Sequence, residues 1–263
     1  MSPRDKAIAL ARKLLAQAED PGATPEESQA FAAKAAEIML RHDLTDAVVR
    51  ATADQTKTSS EPIDVFTYRI SGEGGHGRHR AWALGDVAAA YGGEVCFFGN
   101  NASNQTRTLH IVGTAADLDT LRLLLPTVAA VAETSAAAAA RRHRTQLAAD
   151  GWYTKTELDR EVTWYRRSFL RGFGAGVAEQ IRTRRAGLLD EIQTAGSGAE
   201  LVLADRASRV AAEFRRRYPK LGRPRPVRGH STAGRRDGHA AGRAFNFGGN
   251  QLDTGRPHPE LPR

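Results

Sequence analysis

Lys6-Ala-Ile-Ala-Leu-Ala-Arg-Lys-Leu-Leu15-Ala-Gln-Ala-Glu19, then Asp20-Pro-Gly22, then Thr24-Pro-Glu-Glu27, reads as a helix, a stop and a restart. Ile8, Ala11, Leu15 and Ala18 are three, four and three residues apart, which places them on one face of a 3.6-residue period. The first helix is therefore predicted over about Arg4 to Glu19. In the turn after it, Thr24 can cap the next helix, Pro25 suits its first position, and Glu27 completes a capping box. The second helix carries Phe31, Ala35 and Ile38 on one stripe with Met39 beside it, and ends near Arg41-His42-Asp43. The pattern predicts two short amphipathic helices facing each other.

The same residues, extended through Ala35-Ala-Glu-Ile-Met39-Leu-Arg-His42, resemble the domain of unknown function 2786 family, with its basic residue, paired leucines, acid-rich turn and Ala/Glu/Leu-Met run. Later segments are similar to the region C-terminal to that domain in its longer members: Leu109-His-Ile-Val-Gly113 leading into Asp117-Leu118, Ser168-Phe-Leu-Arg-Gly-Phe173, and Gly238-His-Ala-Ala-Gly242-Arg. The resemblance carries over no catalytic residues, so every candidate site stands on its own chemistry.

Outward from the hairpin, 263 residues with 41% hydrophobic and 26% charged content have the composition of a globular chain. The single Cys96 excludes an internal disulfide, and no apolar leader opens the chain, so a reducing cytoplasm is the expected setting. The longest apolar run, Leu123 to Ala132, contains Pro126 and falls short of the roughly 20 residues of a membrane helix, so no membrane is expected.

The net charge of +8 is unevenly placed: residues 141–185 and 214–263 carry +6 and +9, whereas 1–140 and 186–213 carry −4 and −3. That asymmetry points to an anionic partner for the C-terminal half. The opposing explanation is compositional, because 32 arginines against 6 lysines in an Ala-rich chain is what a GC-rich genome produces.

Residues 1–48 form the hairpin module and the polar, aperiodic 49–61 reads as a linker. Residues 62–147 read as a small α+β unit of order β-α-β-β-α: strands over Pro62–Ile70, Glu94–Phe98 and Thr106–Val112, a helix over 78–91, and a long helical pattern from Ala115 toward Leu147. Residues 148–220 are helical, ending in Leu201–Tyr218, and 221–263 is a basic Gly/Arg/Pro-rich tail in which Gly238–Phe247 can form a short docking helix. The fold class is α+β, mostly helical.

Gly72-Glu-Gly74-Gly75-His-Gly77 matches G-x-G-x-x-G after a strand and before a helix, where backbone amides can cradle phosphate. A dinucleotide site would need a parallel strand next and an acid at its end; here Glu94 starts the strand and the following strand reads as antiparallel. A phosphate nest and a plain glycine loop both remain as readings. Glu73, His76 and His79 have E-x-x-H-x-x-H spacing, but Arg78 and Arg80 would repel a cation, and no metal or cofactor is expected. Cys96, between Val95 and Phe97 on a strand, reads as an inert core thiol, and Glu157, Asp159 and Glu161 do not share a helix face. No catalytic constellation emerges.

Nucleic-acid contacts have better candidates. Trp164, Tyr165, Phe169 and Phe173 are interleaved with Arg166, Arg167, Arg171, Arg182, Arg184 and Arg185, a mixture that can stack bases and hold phosphates. Tyr165, Phe169, Phe173 and Val177 also recur every four residues as a core stripe would, with Gly172, Gly174 and Gly176 allowing close helix packing. Arg215, Arg216 and Arg217, then Arg223, Arg225, Arg228, Arg235 and Arg236, extend the basic candidates to the tail. The chain is expected to be a non-enzymatic accessory protein that meets DNA or RNA through these segments. Two other classes stay open: an enzyme or binder acting on a phosphate-bearing ligand at Gly72–Gly77, with His76 or His79 as acid/base, and an interaction module whose hairpin recruits a protein partner.

Overall fold

A computed structural model describes residues 3–18, 20, 22–24, 27–28, 30–32, 34–42, 61–99, 105–193, 199–222 and 231–245. The linker before Glu61, the Asn100–Asn104 turn, Arg223, Arg225 and Arg228 lie outside them.

The hairpin forms as its residues dictate. Helix α1 spans Pro3–Ala18, and a second helix, α2, lies within 27–42. The Thr24 amide donates to Glu27 Oε2 at 2.9 Å while the Glu27 amide donates to Thr24 Oγ1 at 3.2 Å, which is the expected capping box closed in both directions. Ala11, Leu15 and Ala18 are buried against Ala32, Ala35, Ala36, Met39 and Leu40. The buried stripe of α2 is rotated from the expected one: Phe31 and Ile38 are half-buried at its border.

The α+β unit has the expected order. Strand β1 is Ile63–Ile70, helix α3 Gly77–Ala90, β2 Glu94–Phe98, β3 Arg107–Thr114 and α4 Ala115–Ala149. All pairing is antiparallel and β3 is central, with the order β1-β3-β2. Period-2 alternation then divides the sheet. Leu109 and Ile111 share a face with Phe97, against α3, where Phe97 packs on Gly85. Thr108 and His110 point the other way, toward the C-terminal end of helix α6, Ala199–Arg217. Helix α6 is pinned near its middle by an ionic cluster: Arg206 reaches Asp117 Oδ2 at 3.1 Å, Glu61 Oε2 at 3.4 Å and the hydroxyl of Thr114, the residue that caps α4.

By length and composition α4 could cross a membrane, its most apolar window reaching a mean hydropathy of 1.5. Its Leu118, Leu121, Leu124, Leu125 and Val128 are buried in the core instead.

Helix α5, Lys155–Gln193, packs against α3, α4, α6 and one further helix. Tyr165, Phe169, Phe173 and Val177 are all buried, so the four-residue repeat is a core stripe and not a stacking platform. On one side Gly174 meets Ala83 of α3 so closely that a Cβ there would lie 2.4 Å from the Ala83 Cα. On another, α5 receives α7, Thr232–Ala244. Ser168, Gly172 and Gly176 of α5 face Gly234, Gly238 and Gly242 of α7, each set repeating every four residues. A Cβ on Gly172 would sit 2.1 Å from the Arg235 carbonyl oxygen, and one on Gly238 would sit 2.1 Å from that of Phe169. Ser231 caps α7 by accepting from the Gly234 amide at 3.1 Å, and its own amide donates to Ser168 Oγ at 3.1 Å. Part of the segment that reads as a basic tail is thus an ordered helix. It needs few apolar side chains because the contact is made by backbone, where dispersion between close-packed chains replaces side-chain burial.

Candidate functional site

The glycine loop between β1 and α3 is a single 3-10 turn, Glu73–Gly75, with Gly74 and Gly75 at φ 68° and 71°, a left-handed conformation that a Cβ disfavours. Gly77 is required for a different reason: a Cβ there would lie 2.9 Å from the Gly72 Cα and 3.0 Å from the Gln105 carbonyl oxygen. Gly74, Gly75 and Gly77 are therefore explained by backbone geometry and packing. Two of the loop amides are already engaged, Glu73 with Ser71 Oγ and Gly75 with the Gly72 carbonyl.

The surroundings of the loop are more informative. Arg80 Nη1 donates to the carbonyls of Ser71 at 2.9 Å and Glu73 at 2.7 Å, and Arg167 Nη2 donates to the Gly75 carbonyl at 3.1 Å. Glu133 of α4 bridges two cations, Arg80 Nε at 2.5 Å and Arg166 Nη2 at 2.8 Å. Burial alone would raise the Glu133 pKa, and these two partners more than reverse that. A cavity of about 350 Å³ opens beside this pair, walled by Tyr68, Ile70, Leu84, Ala129 and Leu170.

His76 and His79 are buried at the start of α3, and among the described residues their Nδ1 atoms have no hydrogen-bond partner. Burial depresses His76 to about 4, with Arg166 and Arg80 contributing, and depresses His79 to about 3, with Arg167 and Arg171 contributing. Burial therefore favours the neutral form of both imidazoles at pH 7. Among the described residues no three His, Cys, Asp or Glu side chains converge as a metal ion would need, so the spacing of Glu73, His76 and His79 does not translate into a ligand set. Cys96 is buried and its thiol is pushed up to about 11 by burial, far from a thiolate nucleophile.

The arginines divide into two groups. Arg166, Arg167, Arg184, Arg216, Arg217 and Arg236 are engaged within the protein: the first two at Glu133 and the loop, Arg184 with the buried Glu37 of α2 at 2.5 Å, Arg216 and Arg217 with Glu213, and Arg236 with Asp237 at 3.0 Å. Arg185 packs over Gly92. Arg215 is exposed at the end of α6.

The second group gathers where α3, α5 and α7 meet. Arg171 lies 5.7 Å from the centroid of the Trp82 ring. Burial lowers its pKa and Arg235 and Arg78 lower it further, with Asp86 opposing. Arg182 and Arg235 are exposed and, with Arg171, surround Asp86. Arg107 at the start of β3 is likewise lowered by burial and by Arg78. Arg171 and Arg107 thus sit in a field of like charge, which disfavours their charged forms. Sequence spacing does not nominate Arg78 and Arg107 for nucleic-acid contact, although the basic run Gly77-Arg-His-Arg80 is a visible signal.

No curated protein and no solved structure matches this chain. Over residues 6–46, which hold the hairpin with its reciprocal capping box, the chain matches the family described as Protein of unknown function (DUF2786).

Proposed function

We propose that the protein is a non-enzymatic, nucleic-acid-associated accessory protein that holds backbone phosphates on the face where α3, α5 and α7 meet. The observation that carries this reading is the grouping of Arg171, Arg182 and Arg235 around Asp86, with Arg78 and Arg235 each depressing Arg171. Phosphate oxygens take up guanidinium donors and release condensed counterions, so such a face binds polyanions with a strong salt dependence. It draws on basic residues from separate segments, Arg78, Arg171, Arg182 and Arg235.

Labelled single- and double-stranded DNA and RNA titrated across a salt series test the reading. Removing 221–263 would remove α7 from α5 and so report on folding; Arg182→Gln with Arg235→Gln is the cleaner variant, because both side chains are exposed. The double variant should weaken binding and flatten the log–log salt slope by about 0.7–0.9 per lost phosphate contact. An unchanged slope, or no binding by the unaltered chain, removes the proposal.

A second reading, a small phosphate-bearing ligand at Gly72–Gly77, draws support from the buried Nδ1 atoms of His76 and His79 beside Arg80 and Arg167. It expects inorganic pyrophosphate to raise the melting temperature of the full chain, and His76→Asn with His79→Asn to abolish that rise.

A further inference from the structure

Phe98 ends the edge strand β2 with 42% of its surface exposed, on the sheet face opposite to α3. It is part of a ring cluster: its centroid lies 4.5 Å from His110 and 5.8 Å from Tyr218, and Tyr218 lies 5.3 Å from Phe214 of α6. The Tyr218 hydroxyl and His110 Nδ1 are 2.9 Å apart, so the cluster is fixed by a hydrogen bond as well as by packing. Cations lie near it: Arg217 is close enough for its charge to act on the Tyr218 hydroxyl, and the exposed Arg215 and Lys220 lie on either side of Tyr218 in the chain. An exposed aromatic face held rigid by neighbouring rings has already lost its rotamer entropy, and bordering positive charge selects for a partner that offers flat rings joined by anions.

We infer that Phe98, backed by His110 and Tyr218, stacks an unpaired base of a single-stranded nucleic acid whose backbone the neighbouring arginines hold. The inference rests on the nucleic-acid reading above and adds to it a preference for single strands. A base inside a duplex is stacked on its neighbours and cannot lie on the Phe98 ring, whereas a single strand can turn one base outward at little cost. It also relocates the stacking function from Tyr165, Phe169 and Phe173, which are buried, to rings that sequence spacing does not group.

The experiment compares a labelled oligothymidylate with an abasic strand of the same length and charge, using the full chain, Phe98→Ala and Phe98→Trp. Phe98→Ala should weaken oligothymidylate binding roughly tenfold or more, leaving the abasic strand and the salt slope as in the unaltered chain. Phe98→Trp should retain or tighten oligothymidylate binding, and it decides the matter if the alanine variant folds poorly. Equal binding of both strands by the unaltered chain, or a Phe98→Ala variant that binds oligothymidylate normally while Arg182→Gln/Arg235→Gln binds weakly, overturns base stacking and leaves phosphate binding intact. Failure of the unaltered chain to bind either strand at low salt overturns both.

Discussion

The N-terminal hairpin buries side chains, whereas α7 buries the lack of them. Ala11, Leu15, Ala35, Met39 and Leu40 are buried there in the ordinary way, and an ion pair from Arg184 to Glu37 ties the hairpin to α5. At the other end, Gly234, Gly238 and Gly242 let α7 approach α5 until carbonyl oxygens stand where Cβ atoms would be. The difference teaches that attachment strength is not read from apolar content alone. A helix poor in large apolar residues can be integral if the missing atoms fall in register with missing atoms on its neighbour.

The largest expected effect tests that register. Gly238→Ala is a favourable change for an isolated helix, by about 1 kcal/mol, yet here it forces a methyl group against the Phe169 carbonyl. It should cost about 3 kcal/mol or more and lower the melting temperature by roughly 6–12 °C, followed by circular dichroism. A melting temperature at or above that of the unaltered chain would show that α7 is loosely held and that the contrast with the hairpin is false.

A smaller effect tests the opposite end. Arg184→Gln leaves the buried Glu37 carboxylate with Lys34 as its remaining cation, at a cost of about 2 kcal/mol. Amide exchange in α1 and α2 should accelerate while α7 stays protected. Equal acceleration at both ends would mean that they open as one unit.

The smallest effect separates the ends by pH. Burial raises the Glu37 pKa, but hydrogen bonds and charge from Lys34 and Arg184 outweigh it, so the folded value lies below the ordinary carboxylate one. The stabilisation is therefore complete above about pH 4.3 and is lost as the pH falls through the folded value. Relative to the α5–α7 contact, whose closest approaches are glycine against backbone and whose Glu179 pairs with His239 and Arg243 only at an exposed edge, hairpin exchange should rise in that acid window, and Glu37→Gln should remove the step. An unchanged ratio of exchange rates between the two regions across the window would remove Glu37 as the cause.

Much of the architecture is legible in local chemistry. The hairpin turn is legible because Thr24 and Glu27 satisfy each other's backbone within four residues, and β2 because Glu94–Phe98 is bounded by Gly93 and Gly99. The α5–α7 contact is half legible: glycine spacing announces close packing, but nothing in it names the partner helix. Arg166 and Arg184 look identical to Arg182 as letters, and their fates are set by Glu133 and Glu37, 33 and 147 residues away. The face around Asp86 joins residues from three helices and lies beyond any window read along the chain. The rings of Phe98 and Tyr218 are likewise far apart in the chain.

The four-residue repeat of glycines on both sides of the α5–α7 contact also makes docking discrete. A slide of one residue sets side chains against the carbonyl ridge, and a slide of one turn leaves a notch empty and carries Tyr165 away from Asp237, whose carboxylate accepts from its hydroxyl at 2.8 Å. Helix α5 is synthesised before α7, so the notches are in place before the helix that fills them. The closing step of folding is then a proofreading event in which wrong seats are rejected by collision, and attraction has only to hold the one that remains.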